Sequence, residues 1–288
     1  MSDDKNPSTN PSTTEDTGHV WDGNLRELTN QPPRWWMVTL YLSGLFLVVY
    51  FVLYPSIPTF TGYTKGVLGW TQMKRYQETT AEVEAIRAPY EEKIKAMSAA
   101  EILADRELVD YVKHSGKVLF GDRCAPCHGG GGAGNPGYPV LADDNWLFGG
   151  TIETVQQTIA NGRQGMMPGF KAGLSEQQLD DLTKHVIAMS KGSEHPAGKD
   201  LFISAGCVGC HGMDGKGMQM MGAADLTDAI WRFLPANEES VKYTIANGIN
   251  SPGATETRNA VMPAFKDQIS ETDIKKLAVY VHQLGGGK

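Results

Sequence analysis

The sequence predicts a mainly α-helical protein in which one N-terminal transmembrane helix precedes two tandem copies of a small helical domain. Three observations predict it. The run from Trp35 to Tyr54 carries no charge and is dominated by Leu, Val, Phe, Tyr and Trp, matching the roughly 20 residues that a membrane-spanning helix requires. The second half of the chain repeats a series of short motifs in the same order. Within each copy, apolar residues recur at helical spacing, as Leu179, Leu182 and Val186 in one and Ile274, Leu277 and Val281 in the other.

The repeat is specific in its details. Gly116-Lys117 in the first copy matches Gly198-Lys199 in the second, Ile159-Ala160-Asn161-Gly162 matches Ile245-Ala246-Asn247-Gly248, and Met167-Pro168-Gly169-Phe170 matches Met262-Pro263-Ala264-Phe265. Ser175-Glu176 and Ser270-Glu271 each read as a helix start. Between the copies, Lys191 to Pro196 is polar and broken by glycine and proline, as a linker is. With 288 residues and roughly 150 per domain, two domains fit. The expected division is 1–34, partly disordered and cytoplasmic; 35–54, transmembrane; 55–106, a linker with charged helices; 107–190, first domain; 191–197, linker; and 198–288, second domain.

All four cysteines fall in two copies of one pattern, Cys124-Ala125-Pro126-Cys127-His128 and Cys207-Val208-Gly209-Cys210-His211. C-x-x-C-H is the attachment signature of c-type haem. Two thiols three positions apart share one side of a helical turn and add to the two haem vinyl groups, and the following histidine reaches the iron. Cys124, Cys127, Cys207 and Cys210 are therefore expected to hold two covalent haem c groups, with His128 and His211 as proximal ligands. A shared four-thiolate zinc site leaves both histidines without a role, and adjacent C-x-x-C pairs make poor staples.

A thioether on the distal side raises the potential and closes the iron to other ligands. Met167 and Met262 are the candidates, because both precede proline at equivalent places in the repeat. Proline restricts the residue before it to extended backbone. Which methionine serves which haem is open, since two similar domains packed together can exchange distal loops. Met166 adjoins Met167, and Met213, Met218, Met220 and Met221 crowd the loop after the second motif; these read as packing or surface residues. His114, His185 and His282 fall on helical segments and read likewise, while His19 and His195 lie in polar, irregular stretches. The glycine run from Gly129 to Gly134 reads equally as backbone passing close to a porphyrin or as a flexible loop. Gly215-Lys216 is followed by Gly217, so it is no phosphate loop.

Trp35, Trp36, Tyr50 and Tyr54 lie towards the ends of the apolar run, as interfacial residues do. The run is expected to stay in place as a single-pass anchor because no small-residue cleavage site follows it. Lysines and arginines on its two sides do not decide the orientation. The haems do: c-type attachment takes place outside the bacterial cytoplasmic membrane, which puts the N-terminus in the cytoplasm and the haem domains in the periplasm of an inner-membrane protein. Residues 1–18, rich in Ser, Thr, Asn and Pro, are expected to be disordered. The charged stretch from Gln72 to His114 reads as two or three helices with a break near Pro89, suited to packing on a partner or to spacing. Net charge is −7, with acidic and basic residues interspersed, so no nucleic acid is expected to bind.

The order of helix, haem motif, loop, short helix, Met-Pro loop and C-terminal helix in each copy resembles the class I cytochrome c fold, over roughly residues 107 to 284. Trp21-Asp22-Gly23, Glu27-Leu28-Thr29-Asn30, Pro33-Arg34-Trp35-Trp36, Gly66-Val67-Leu68-Gly69-Trp70 and the segment from Pro139 to Leu147 extend the likeness over nearly the whole chain beyond residue 18. Together they resemble the diheme cytochrome c subunit, subunit III, of cbb3-type cytochrome c oxidases. The resemblance implies an electron-transfer arm that passes electrons from a soluble periplasmic cytochrome c, through a monohaem subunit, to the haem-copper catalytic subunit. Oxygen is then reduced elsewhere in the complex, and this chain supplies no catalytic residue. Some members of that family carry a further N-terminal span, and residues 1–34 hold no long apolar run. The rival readings are a free-standing membrane-tethered shuttle and a diheme enzyme with one open iron.

Overall fold

The computed structural model describes residues 16–29, 31–233 and 235–285. Most of the segment expected to be disordered, and Asn30 of the membrane-proximal motif, lie outside them. The described residues fall into two compact units, 1–84 and 85–288.

The first unit opens with a hairpin of β1 (Asp16–Trp21) and β2 (Leu25–Leu28), with Trp21 opposite Leu25. Residues 16 to 18, grouped with the disordered tail on composition, belong to this hairpin instead. Its loop is Asp22-Gly23-Asn24, in which Asp22 and Gly23 take φ of 48° and 81° and the Asn24 amide donates to the Trp21 carbonyl at 3.2 Å, a positive-φ pair that matches strand twist. Helix α1 (Arg34–Leu53) follows, long and apolar enough to cross a membrane and with none of its residues buried. Tyr54 ends it in extended conformation ahead of Pro55. Beyond a small hairpin of β3 (Pro58–Thr59) and β4 (Gly62–Tyr63), the chain folds back on the end of α1. There Val67 and Leu68 donate backbone bonds to the carbonyls of Val52 and Leu53, and the Trp70 ring meets Tyr54 edge-on.

Helix α2 (Gln72–Ala96) runs unbroken through Pro89, contrary to the break expected there. Proline inside a helix costs about 3 kcal/mol, and the distal half of α2 offsets this by burying Ile94 completely and stacking Tyr90 on Tyr111 at 4.7 Å. The break falls at Ser98, which with Glu101 forms a reciprocal capping box opening α3 (Ala99–Ala104). Asp105 then caps α4 (Arg106–Arg123) by accepting from the Glu107 and Leu108 amides. The charged stretch therefore covers this chain's own core with its second half, while Val83 and Ile86 stay exposed.

The remaining elements are α5 (Ala125–His128), α6 (Ile152–Asn161), β5 (Arg163–Gln164), α7 (Glu176–Met189), α8 (Pro196–Ser204), α9 (Val208–His211), α10 (Glu238–Asn247), β6 (Val261–Met262) and α11 (Glu271–His282). Ser175 and Ser270 cap α7 and α11, as the repeated Ser-Glu pair predicts.

These helices build two hydrophobic cores, and the cores do not follow the order of the repeats. In the first, α11 lies on α4, α6 and α3, burying Leu108, Val112 and Phe120 with Ile274, Leu277 and Val281. In the second, α7 lies on α8 and α10, burying Leu179, Leu182 and Val186 with Phe202, Val241 and Ile245. Each repeat thus sends its C-terminal helix into the core of the other. The repeated Gly-Lys pairs mark the crossings: a Cβ on Gly116 of α4 would lie 2.9 Å from the Tyr280 Cβ on α11, and one on Gly198 of α8 would collide with His185 on α7.

Replacing Gly116 with valine is expected to destabilise the soluble domains by about 1–3 kcal/mol through overpacking of the crossing, measured by thermal or urea denaturation. Gly121, on the same helix with open space around it, provides the contrast: Gly121→Ala is expected to stabilise by about 0.5–1 kcal/mol from helix propensity alone.

Candidate haem sites

In both motifs the chain makes one helical turn after the first cysteine. The His128 amide donates to the Cys124 carbonyl at 2.9 Å and the His211 amide to the Cys207 carbonyl at 3.0 Å. The turn brings the two thiols of each pair and the histidine to one place. All four cysteines are half-buried free thiols. Burial pushes the Cys124 thiol up to about 11 and that of Cys207 in the same direction. A zinc ligand or redox dithiol needs the thiolate, so this environment disfavours both. The pairs also pack in different cores, Cys124 in the first and Cys207 in the second, which separates them as ligands of one metal.

Each histidine is oriented from behind. His128 Nδ1–H donates to the Pro139 carbonyl at 3.1 Å and His211 Nδ1–H to the Ala224 carbonyl at 3.0 Å. Such a bond fixes the tautomer and leaves Nε2 free to bind metal. Burial pushes both imidazoles below their usual range, against the opposing effect of these carbonyls, and at His128 the charge of Arg232 adds to the lowering. A neutral imidazole is the form that ligates. The loops that carry the acceptors match in detail: Gly134 and Gly217 donate to the carbonyls of His128 and His211, and Leu141 and Leu226 donate to those of Gly132 and Gly215. Gly129 and Gly212 leave the two turns with φ of 75° and 76°. The glycine run is therefore an ordered, tightly closed loop; a Cβ on Gly129 would lie 2.9 Å from the Gly134 carbonyl oxygen.

The candidate distal methionines sit in exchanged positions. Met262, from the second repeat, packs in the first core with Cys124, and Met167, from the first repeat, packs in the second core with Cys207. The backbone holds them there. Met262 pairs with Arg163 in the β5–β6 ribbon, and Met167 pairs with Ile249. Phe265 and Lys266 donate to the carbonyls of Ile159 and Ala160, and Phe170 and Lys171 donate to those of Ile245 and Ala246. The repeated Asn-Gly explains itself at these seats. A Cβ on Gly162 would strike the Met262 carbonyl and one on Gly248 the Met167 carbonyl, and both glycines have positive φ.

The other sulfur and imidazole groups fall outside these places. Met166 is exposed, as are Met213, Met220 and Met221. His185 is buried against Phe202 and accepts from the His195 amide. His282 is turned inward with Nδ1 unpartnered, and His114 bonds the Asp110 carbonyl on its own helix. Trp146 has its indole N–H buried in the first core with no acceptor, and Arg258, which donates from Nη2 to Ser240, has Nε buried without one. Both N–H groups are spare donors, of the kind the propionates of a haem would accept from. Together with two Cys-Cys-His turns and soft methionine sulfurs, the residues present fit haem c.

Comparisons with known proteins agree. Residues 13–61 match the family model described as the N-terminal domain of cytochrome oxidase-cbb3, FixP; residues 111–186 match cytochrome c oxidase, cbb3-type, subunit III; and residues 196–285 match cytochrome c. Among curated proteins, the chain is 40% identical to the cbb3-type cytochrome c oxidase subunit FixP of Azorhizobium caulinodans, over 94% of this chain and 93% of that one. It is 38% identical to the FixP of a Bradyrhizobium species, over 96% of both chains. It is also 37% identical to the subunit CcoP of an Azospirillum species, over 95% and 96%. Two cytochrome c domains imply covalently bound haem c, and α1 fits a membrane anchor. The chain belongs to the FixP/CcoP family, the cytochrome c component known as subunit III of the cbb3-type terminal oxidases.

Proposed function

We propose that this subunit carries two haem c groups, one on Cys124 and Cys127 with His128 and Met262 as axial ligands, the other on Cys207 and Cys210 with His211 and Met167. The repeat units are 107–190 and 198–288, joined by 191–197. Each repeat supplies its own thiols and proximal histidine and borrows the distal methionine of its neighbour. The single observation that carries this reading is the seating of each Met-Pro loop on the helix end of the opposite repeat, by Phe170 on Ile245 and Phe265 on Ile159. Electrons pass from a soluble periplasmic cytochrome c towards the haem-copper catalytic subunit, through the monohaem subunit of the same oxidase. The N-terminus is cytoplasmic, α1 crosses the inner membrane once, and the haem domains are periplasmic.

Bound there, the haems supply one-electron chemistry between ferric and ferrous iron. The protein's part is to hold them. Pro139 and Ala224 occupy Nδ1 of the two histidines and so would leave Nε2 to hold the iron. The methionine sulfurs, soft and weakly basic, favour ferrous iron and block exogenous ligands. Because α4 with α11 and α7 with α8 are tied across the repeats, neither methionine loop could move far from the Cys-Cys-His turn beside it without opening a core. Little reorganisation accompanies electron transfer.

Two experiments test this. In a Cys124→Ala/Cys127→Ala chain, which keeps only the second haem, Met167→Ala should abolish the remaining methionine-to-iron absorption band while Met262→Ala leaves it. The Cys207→Ala/Cys210→Ala chain should show the reverse. The opposite result in both assigns each methionine to its own repeat. In mildly solubilised membranes, blue native electrophoresis with haem staining should place this chain with in-gel oxidase activity. Migration alone would make it a tethered shuttle, and carbon monoxide binding to the reduced isolated chain at neutral pH would indicate an open iron.

A further inference from the structure

The two haem sites share their backbone pattern, although the loop behind the second histidine is two residues longer, and they differ in the charges around them. Counting from Leu141 and Leu226, which make equivalent bonds at 2.7 Å to Gly132 and Gly215, Trp146-Leu147-Phe148 in the first repeat corresponds to Trp231-Arg232-Phe233 in the second. Each tryptophan stays in the core of its own motif. The residues just after it cross to the other repeat. Phe148 sits against Gly222 in the loop that follows His211, and Leu147 shares a cleft with Lys216 and Ala223 of that loop. Reciprocally, the Phe233 ring lies 3.8 Å from where a Cβ on Gly137 would stand, and the Gly137 amide donates to the Arg232 carbonyl at 2.9 Å, in the loop that leads to Pro139 behind His128. The next pair of arginines is again matched, Arg163 over the Phe148 ring and Arg258 over the Phe233 ring. Arg232 has an apolar counterpart, Leu147, as Asp225 has Val140 and Asp144 has Ala229, and of these three it is the cation.

Arg232 is half-buried and has no carboxylate within ion-pair distance among the described residues. Its carbonyl accepts from the Gly137 amide, two residues before the Pro139 whose carbonyl holds His128 Nδ1, so the residue is anchored on the loop behind that histidine. Arginine does not lose its proton in proteins, so this is a permanent cation in a site of low dielectric, where it acts more strongly than in water. A fixed positive charge disfavours oxidation of a neighbouring iron, whether it faces the iron through the imidazole or pairs with a propionate.

We infer that Arg232, contributed by the second repeat, raises the potential of the haem attached at Cys124 and Cys127 relative to the other and biases electrons towards it. The inference rests on the haem reading above and adds a direction to it. Electrons arriving at the haem of the second repeat would run on to that of the first.

The test is potentiometric titration of the purified oxidase, or of the full-length chain in detergent, resolved into two haem c components. Arg232→Gln should lower one midpoint by about tenfold in the electron-sharing equilibrium, about 59 mV for a one-electron couple, and leave the second in place. Arg232→Lys should restore most of the shift, and the component that moves should be the one also displaced by Met262→His, not by Met167→His. If Arg232→Gln moves neither midpoint, or if Arg232→Lys and Arg232→Gln lower both alike, the charge has no such role. A wild-type chain that stains for fewer than two covalent haems would overturn the haem reading itself, a separate outcome.

Discussion

Most of the soluble part of this protein depends on one reciprocal contact: each Met-Pro loop sits on the C-terminal end of a helix in the opposite repeat. Where α6 ends, the carbonyls of Ile159 and Ala160 lack helical partners, and Phe265 and Lys266 supply them. Where α10 ends, Phe170 and Lys171 do the same for Ile245 and Ala246. Glycine at the following position lets the loop backbone approach within contact distance. A helix terminus that would otherwise expose unsatisfied carbonyls thus becomes the seat of the loop that carries a candidate distal methionine.

The exchange explains why two small domains behave as one body. Each core is closed by a helix from the other repeat, α11 over α4 and α7 over α8. Leu277, with no exposed surface, belongs to the first core although it lies in the second repeat. Fully burying a side chain of that size contributes about 1.5–3 kcal/mol, and here that energy ties the repeats together. For an electron carrier the benefit is rigidity: each candidate site is built from both repeats, so separating the repeats would part each Cys-Cys-His turn from the methionine seated beside it. The second half of α2 extends the first core further, with Ile94 buried and Glu91 paired to the inward-turned Lys276 at 2.8 Å.

Near-symmetry also makes departures from it meaningful. The hydrogen bonds of the proximal loops, the glycine exits and the arginine-phenylalanine stacks are matched, although the second loop is two residues longer and carries Asp214 and Lys216. Arg232 opposite Leu147 is one departure, and Pro139 opposite Ala224 behind the histidines is another. Differences of this kind, small in sequence, are how a duplicated fold acquires two unequal redox sites.

Covalent chemistry and periodicity made much of this legible in the sequence. C-x-x-C-H allows few chemistries, an uncharged run of Leu, Val and aromatic residues fits few environments, and serine-glutamate pairs start helices by local hydrogen bonding. These signals act within a few residues of one another. Pro89 misled because a proline's local cost was outweighed by distant packing of Tyr90 and Ile94, and the Asp22-Gly23 hairpin was passed over in a polar stretch. The partners of Met167 and Met262 were open for the same reason: identical motifs satisfy either pairing locally. Only the tertiary structure decided that each loop crosses to the other repeat, because the choice rests on how α7 and α11 pack, through contacts between residues some hundred or more positions apart for α11 on α4. It likewise brought Arg232 onto the loop that leads to Pro139 behind His128, which no spacing along the chain predicts.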